Sequence, residues 1–292
     1  MKVTGWLWVL VVALPLSAFG DTGAAFESGP SVRATTLGDS VVSETRDGSS
    51  VFWNPGGLAH VKAGISGLRY RAFETDYTAF QAATRMGNVG VGVGYLGASL
   101  GGIPYVNRVN GRASQTGNST DYGASGWFVG AGLPLTDTVS VGVTGKYLQQ
   151  ALAGYSANGV GIDVGMQWDI VPRMSGGVLI QNAIVPQFKW NTASGAVDEM
   201  ATRTIVGASV GMLESVTGMS QVVMQSGRPA IVQWGIEWEP LPELAFRAGH
   251  NNRVVSVGTG IQIGNVAVDF GWSSAMADGV DDIYRVGVGY GF

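Results

Sequence analysis

The side chains that could do chemistry in this 292-residue chain are few and far apart. There is no cysteine, and His60 and His250 are the only histidines. That removes thiol nucleophiles, disulfides and a lipid-anchored cysteine, and two scattered imidazoles make a poor metal site. A Ser–His–acid set needs a base within hydrogen-bond reach of its nucleophile, yet no Gly-x-Ser-x-Gly elbow occurs. His250, beside Asn251 and Asn252, is placed at the outer end of a strand, with no partners from which such a set could be composed. Gly92-Val93-Gly94-Tyr95-Leu96-Gly97 matches G-x-G-x-x-G, but its glycines continue a strand's alternation and no helix follows, so the dinucleotide reading fails. Asn118-Ser119-Thr120 matches a glycosylation sequon and reads as loop composition. The expectation is a protein that is not an enzyme and uses no cofactor or metal.

What remains is a set of isolated charges and one turn. Strand alternation puts Arg69, Arg71, Lys146, Asp163, Glu237, Arg247, Asp269 and Arg285 on the inward face. Lys146 with Asp163, Glu237 with Arg247, and Asp269 with Arg285 fall on neighbouring strands, where opposite charges can pair. Buried charges need such partners, and Arg33, Asp39, Arg46 and Asp47 upstream offer more. The favoured reading is a network that locks a plug to a wall; the other is that Arg247 or Arg69 and Arg71 grip a carboxylate headgroup. Asn54-Pro55 starts a turn, and Gly56-Gly57 permits close approach or unusual backbone. It reads first as a wedge that seats the plug, and second as a gating constriction that moves when ligand binds.

The elements that must position these residues are strands. The chain has 46 glycines and 13% charged residues, against about 7% glycine and about 25% charge in soluble domains. Past the first twenty residues no apolar run approaches the ~18 residues of a spanning helix. Membrane-like composition without membrane helices leaves the closed β-barrel. Net charge is -4, and no stretch gathers more than a pair of basic residues, which argues against nucleic acid. Lys2, the apolar run Trp6 to Leu16, and small Ala18 and Gly20 read as a signal peptide over residues 1–20, with an uncleaved membrane anchor as the alternative. The expected location is a bacterial outer membrane.

From Lys62 the dominant period is two. Val89, Val91, Val93 and Tyr95 alternate with Gly90, Gly92 and Gly94, and Val266, Val268, Phe270 and Trp272 with Ala267, Asp269 and Gly271. Such runs predict an all-β, transmembrane antiparallel β-barrel of about fourteen strands: 62–71, 75–86, 88–97, 121–133, 138–150, 158–170, 173–183, 201–212, 219–226, 230–239, 242–250, 253–263, 265–275 and 281–292. Tight turns follow the even strands, and long loops are expected at 98–120 and 184–200, which is the periplasmic/extracellular asymmetry of outer-membrane barrels. Tyr70, Tyr95, Tyr147, Trp168, Trp238 and Trp272 are assigned to outward girdles. A soluble β-sandwich would need polar outward faces instead. Residues 21–61 lack the alternation and are too few for a core of their own. They read as short helical turns forming a plug or hatch before a barrel at 62–292.

The segment Leu37-Gly38-Asp39-Ser40 and the box Trp53 to Ala59, together with Gly235-Ile236-Glu237-Trp238, Leu244 to His250, Val266 to Phe270 and the closing Arg285-to-Phe292 strand, resemble the FadL-type outer-membrane barrels, nearest the PorV/PorQ branch. Gly56 stands where that pattern more often has alanine. The resemblance implies a hatch that blocks the lumen and passive transport of small hydrophobic compounds. For PorV-like members it implies instead a scaffold or shuttle for type IX secretion, with secretion-system proteins as partners. A purely structural barrel is the third reading. Other expected partners are outer-membrane lipid and the barrel assembly machinery, since Tyr290 and Phe292 on the closing strand resemble the signal that machinery reads. The lining of an apolar outer vestibule is sought in Ile184 to Trp190. Replacing Phe292 with serine is expected to impair insertion. A heat-modifiable band at wild-type level on a gel would show that the aromatic is not the signal.

Overall fold

The alternation builds a closed barrel in the computed structural model, which describes residues 24–26, 29–109, 112–252, 254–274 and 281–292. Among these residues the strands are β1 Gly64–Ala72, β2 Thr75–Met86, β3 Val89–Val109, β4 Arg112–Pro134, β5 Val139–Leu152, β6 Tyr155–Val171, β7 Met174–Ile184, β8 Gln187–Trp190, β9 Val197–Glu199, β10 Arg203–Leu213, β11 Val216–Gln225, β12 Ile231–Leu241, β13 Leu244–His250, β14 Val255–Ile263, β15 Val266–Ser273 and β16 Ile283–Gly291. Fourteen of them close into one antiparallel ring: β1 pairs with β16, β5 with β6, and β7 directly with β10. The short β8–β9 hairpin leaves the ring and leans on the outer end of β6. No described helix is long and apolar enough to cross a membrane. The strands carry Val129, Val160, Val232, Trp238, Tyr284 and Val288 exposed on an outward apolar face, the pattern expected of a barrel wall that meets lipid.

Two expectations change. Most of 98–120 is not a loop, because β3 and β4 continue as a long two-stranded ribbon, with pairing reaching Val109 and Arg112. Serine, asparagine and glycine in that segment hid the strand, and cross-strand hydrogen bonds override their weak propensity. The segment 184–200 likewise holds the β8–β9 hairpin. Residues 1–20, assigned to a signal peptide, lie outside the described residues.

Residues 29–61 fill the lumen. Helix α1, Val32–Thr36, starts at Ser31, whose Oγ accepts a hydrogen bond from Ala34 N at 3.2 Å. Helix α2, Ser50–Trp53, leads into a 3-10 turn at Pro55–His60. The segment is seated by backbone approach. A Cβ at Gly90 would overlap the carbonyl of Leu58, and one at Gly142 would overlap that of Pro55. Inward glycines on β3 to β6 are thus the bed on which the plug lies, and Gly249 does the same beneath Leu37 and Gly38.

Gly142→Val is expected to cost about 1–3 kcal/mol by overpacking and to open the plug to limited proteolysis of the folded barrel. Gly123→Ala, whose Cβ meets nothing within 4 Å, should change neither. Equal protection of both variants would mean the plug does not rest on this wall.

Candidate functional site

The hatch turn is a wedge. Asn54, fully buried, caps the 3-10 turn by accepting from Gly56 N at 3.0 Å. Its Nδ2 donates to Val42 O within the plug at 2.6 Å and to Met166 O of β6 at 3.0 Å. One amide therefore ties two plug segments to the wall. Pro55, Gly56 and Gly57 are buried beside it. A Cβ on Gly57 would overlap Thr45 O, so this glycine serves close approach.

A chain of charges clamps the other side. Arg33 of α1 donates to both Glu237 carboxylate oxygens, at 2.9 and 2.7 Å. Glu237 also accepts from Arg247 Nε at 2.7 Å, and Arg247 continues to Asp269. The last contact passes over Gly260, where a side chain would collide with both Arg247 and Asp269. Burial disfavours the Arg33 cation, but the paired Glu237 outweighs it and the guanidinium pKa is raised. Asp39, also buried, is pushed up by burial, against the hydrogen bond from Asn251 Nδ2 (3.1 Å) and the charges of Arg285 and Arg203. At the plug's inner edge Arg46 reaches Asp169 at 2.8 Å, while Asp47 accepts from Ser49 N.

Lys146 and Asp163 meet at 2.6 Å with both side chains almost wholly buried. Asp163 also accepts from Asn182 N at 2.6 Å, where β7 bulges at a residue with φ 58. Arg285 does not pair with Asp269. It donates to Ser273 Oγ at 2.8 Å and its guanidinium lies over the Tyr70 ring at 4.8 Å. Register explains this: Asp269 faces Gly287 while Arg285 faces Gly271, so Arg247 lies within Asp269's reach instead.

Arg69 and Arg71 point outward, not into the lumen, and the Arg69 side chain is 75% exposed. Tyr70 takes the inward place assigned to them and stacks on Tyr77 at 4.7 Å, so it is no girdle residue. β1 reads Gly-Ile-Ser-Gly-Leu-Arg-Tyr-Arg-Ala, with apolar groups on both phases, and a one-residue slip exchanges the faces. The tie is broken by Leu68 and Tyr70 packing on the plug-side cluster and Arg285. His250 spends Nδ1 on the Val254 carbonyl at 3.1 Å. Among the described residues no group of three or more His, Cys, Asp or Glu could hold a metal ion.

Sequence reading sought apolar lining in Ile184 to Trp190 but missed the barrel-strand half of an apolar cluster on the outer face of the plug. There the inward glycines of β3 to β5 give way to Leu96, Phe128 and Leu148, all buried. Phe52 meets Phe128 edge-on at 4.7 Å. The β8–β9 hairpin folds over the mouth and inserts Phe188, fully buried and stacked on Phe26 at 6.5 Å. Trp190 follows and donates to Asp198 at 2.7 Å. Of the segment sought as vestibule lining, Phe188 and Trp190 belong to this cluster, while Ile184 is exposed. The switch from glycine to large apolar residues on one strand face is the signal that marks the cluster. On the inner side of the plug a cavity of about 540 Å³ lies against β1, β2, β15 and β16, bordered by Val32, Leu68, Ala79 and Gly289.

Glu237→Gln leaves Arg33 and Arg247 sharing a neutral partner. It is expected to cost about 3–5 kcal/mol and to raise conductance in planar bilayers toward that of a barrel lacking 21–61, whereas outward Arg69→Gln stays closed. Unchanged conductance in both Glu237→Gln and the deletion would remove the clamp and the plug from the account.

No known family matches the chain by sequence, and no curated protein matches it. Solved structures do. The toluene transporter TodX of Pseudomonas putida superposes with a TM-score of 0.66 at 11% identity, over 90% of this chain and 98% of that one. The CymD monoaromatic hydrocarbon channel gives 0.66 at 10%, over 89% and 97%. A FadL homologue of Pseudomonas aeruginosa gives 0.60 at 10%, over 95% and 99%. At these identities the likeness establishes the fold alone, a closed fourteen-stranded barrel like theirs.

Proposed function

We propose that this barrel sits in a bacterial outer membrane and passes small hydrophobic compounds passively toward the cell. The carrying observation is the packed apolar cluster on the outer face of the plug, built on Phe128 and Leu148 and capped by Phe26 stacked on Phe188. Apolar, concave surface with few polar groups is what such ligands bind. The cluster is packed with its own rings, so entry requires the β8–β9 hairpin and the Phe26 turn to move aside. Exit then needs the plug to yield toward the inner cavity, where the wall glycine Gly289 has neighbouring strands, not plug backbone, as its nearest atoms. The similar structures that carry toluene and monoaromatic hydrocarbons agree with this cargo class.

A second reading, a PorV-like scaffold or shuttle in type IX secretion, is favoured by one observation, the β3–β4 ribbon that runs well beyond the other hairpins. A docking platform needs such a projection, and a simple channel does not.

Cells expressing the protein should take up a labelled small aromatic hydrocarbon faster than cells with an empty vector. Phe188→Ala, which unblocks the mouth, should raise the rate further without altering flux of small polar solutes. Uptake equal to the empty vector in both strains, with the barrel present and heat-modifiable, would reject transport.

A further inference from the structure

The outward face of β1 to β6 changes character along one line. Phe80, Tyr95, Trp127 and Tyr147 are cross-strand partners and form a continuous aromatic row. The next outward-facing row toward the strand tips is Arg69, Thr78, Gly97, Ser125, Gln149 and Asn158. The row beyond it is Arg71, Asp76, Ser99, Gly123, Ala151 and Ser156. Both rows start with an arginine and then carry only small or polar side chains over five strands. Elsewhere the outward face stays apolar almost to the outer strand ends, as at Val232, Val255 and Tyr284.

Small residues beside an aromatic row leave a hollow. A groove of about 490 Å³ runs over β2 to β6 on the outside of the wall, bordered by Asp76, Tyr95, Ser99, Ser125, Gln149 and Asn158, with Arg69 and Arg71 just outside this lining. Arg69 and Arg71 stand at its β1 edge. Arg69 has only a distant contact with Asp76, at 3.9 Å, between two largely exposed side chains. An arginine on the lipid side of a barrel is unfavourable within the apolar band and tolerated at its edge. There it faces headgroups, and a guanidinium is suited to hold phosphate through paired N–H donors.

We propose that this groove, with Arg69 and Arg71 at its rim, binds the phosphorylated sugar headgroup of a glycolipid in the outer leaflet. The cations take a phosphate, the Ser, Thr, Asn and Gln side chains take sugar hydroxyls, and the aromatic row below packs on the first acyl carbons. The site rests on the outer-membrane reading above, with the long-hairpin end outward, but it is read without any transport measurement.

The test uses the full barrel in zwitterionic detergent, with diphosphorylated lipid A as probe and bound lipid counted by native mass spectrometry. Wild type should retain the lipid, and R69Q/R71Q should bind it about tenfold or more weakly, two lost cations being worth roughly that. Gly123→Phe fills the groove without touching charge, and no atom lies within 4 Å of its Cβ. It should lose binding while staying heat-modifiable. Lipid A stripped of its phosphates should bind wild type no better than R69Q/R71Q does the intact lipid. Wild-type binding in either variant, equal retention of the dephosphorylated lipid, or full displacement by inorganic pyrophosphate would each overturn the proposal. Hydrocarbon uptake unchanged in R69Q/R71Q is expected, so loss of this site and loss of transport are separable.

Discussion

Backbone lying directly on backbone is the constraint from which the rest of this structure follows. A plug of some thirty residues has no core of its own, so it must take its stability from the wall. It does so by laying the carbonyls of Leu58 and Pro55 against Gly90 and Gly142, where any side chain would collide. The glycine richness is therefore a packing requirement on the inward phase of the strands, while the outward phase is free to carry the valines and aromatics that meet lipid. One period-two pattern serves both demands.

Close seating excludes water, which raises the stakes for each polar group in the lumen. The response is paired side chains at two points of attachment. Asn54 uses its oxygen on Gly56 and its nitrogen on Val42 and Met166, and Arg33 places Nε and Nη2 on Glu237 and Nη1 on the Glu44 carbonyl. These ties lie on different walls, β6 for Asn54 and β12 for Arg33. Freeing the plug from either wall alone leaves it hinged on the other, so loss of the clamp and loss of the wedge need not have the same consequence for flow.

The strand count, the tight inner turns and the inward placement of Lys146, Asp163, Glu237, Arg247, Asp269 and Arg285 were legible because in each of those strands one phase is clearly apolar. Arg69 and Arg71 were misplaced because β1 carries Leu68 and Tyr70 on one phase and Ile65 on the other, and only tertiary packing chooses between them. The partner of Asp269 was misread for a related reason. Adjacency of strands says that charges can meet, but the register decides whether they do, and Arg247 reaches across a glycine to claim Asp269. The β3–β4 ribbon was hidden by its polar composition, since a two-stranded ribbon in water has no face to bury and so no alternation to display.

The inward and outward faces of β3 to β6 change at neighbouring heights, and the coincidence has a physical meaning. Inside, glycine gives way to Leu96, Phe128 and Leu148; outside, the aromatic row at Tyr95, Trp127 and Tyr147 gives way to serine and glycine. Inward and outward residues alternate along each strand, so Leu96 adjoins Tyr95, Phe128 adjoins Trp127 and Leu148 adjoins Tyr147. The top of the plug and the change of the outward face are thus set by the same few residues.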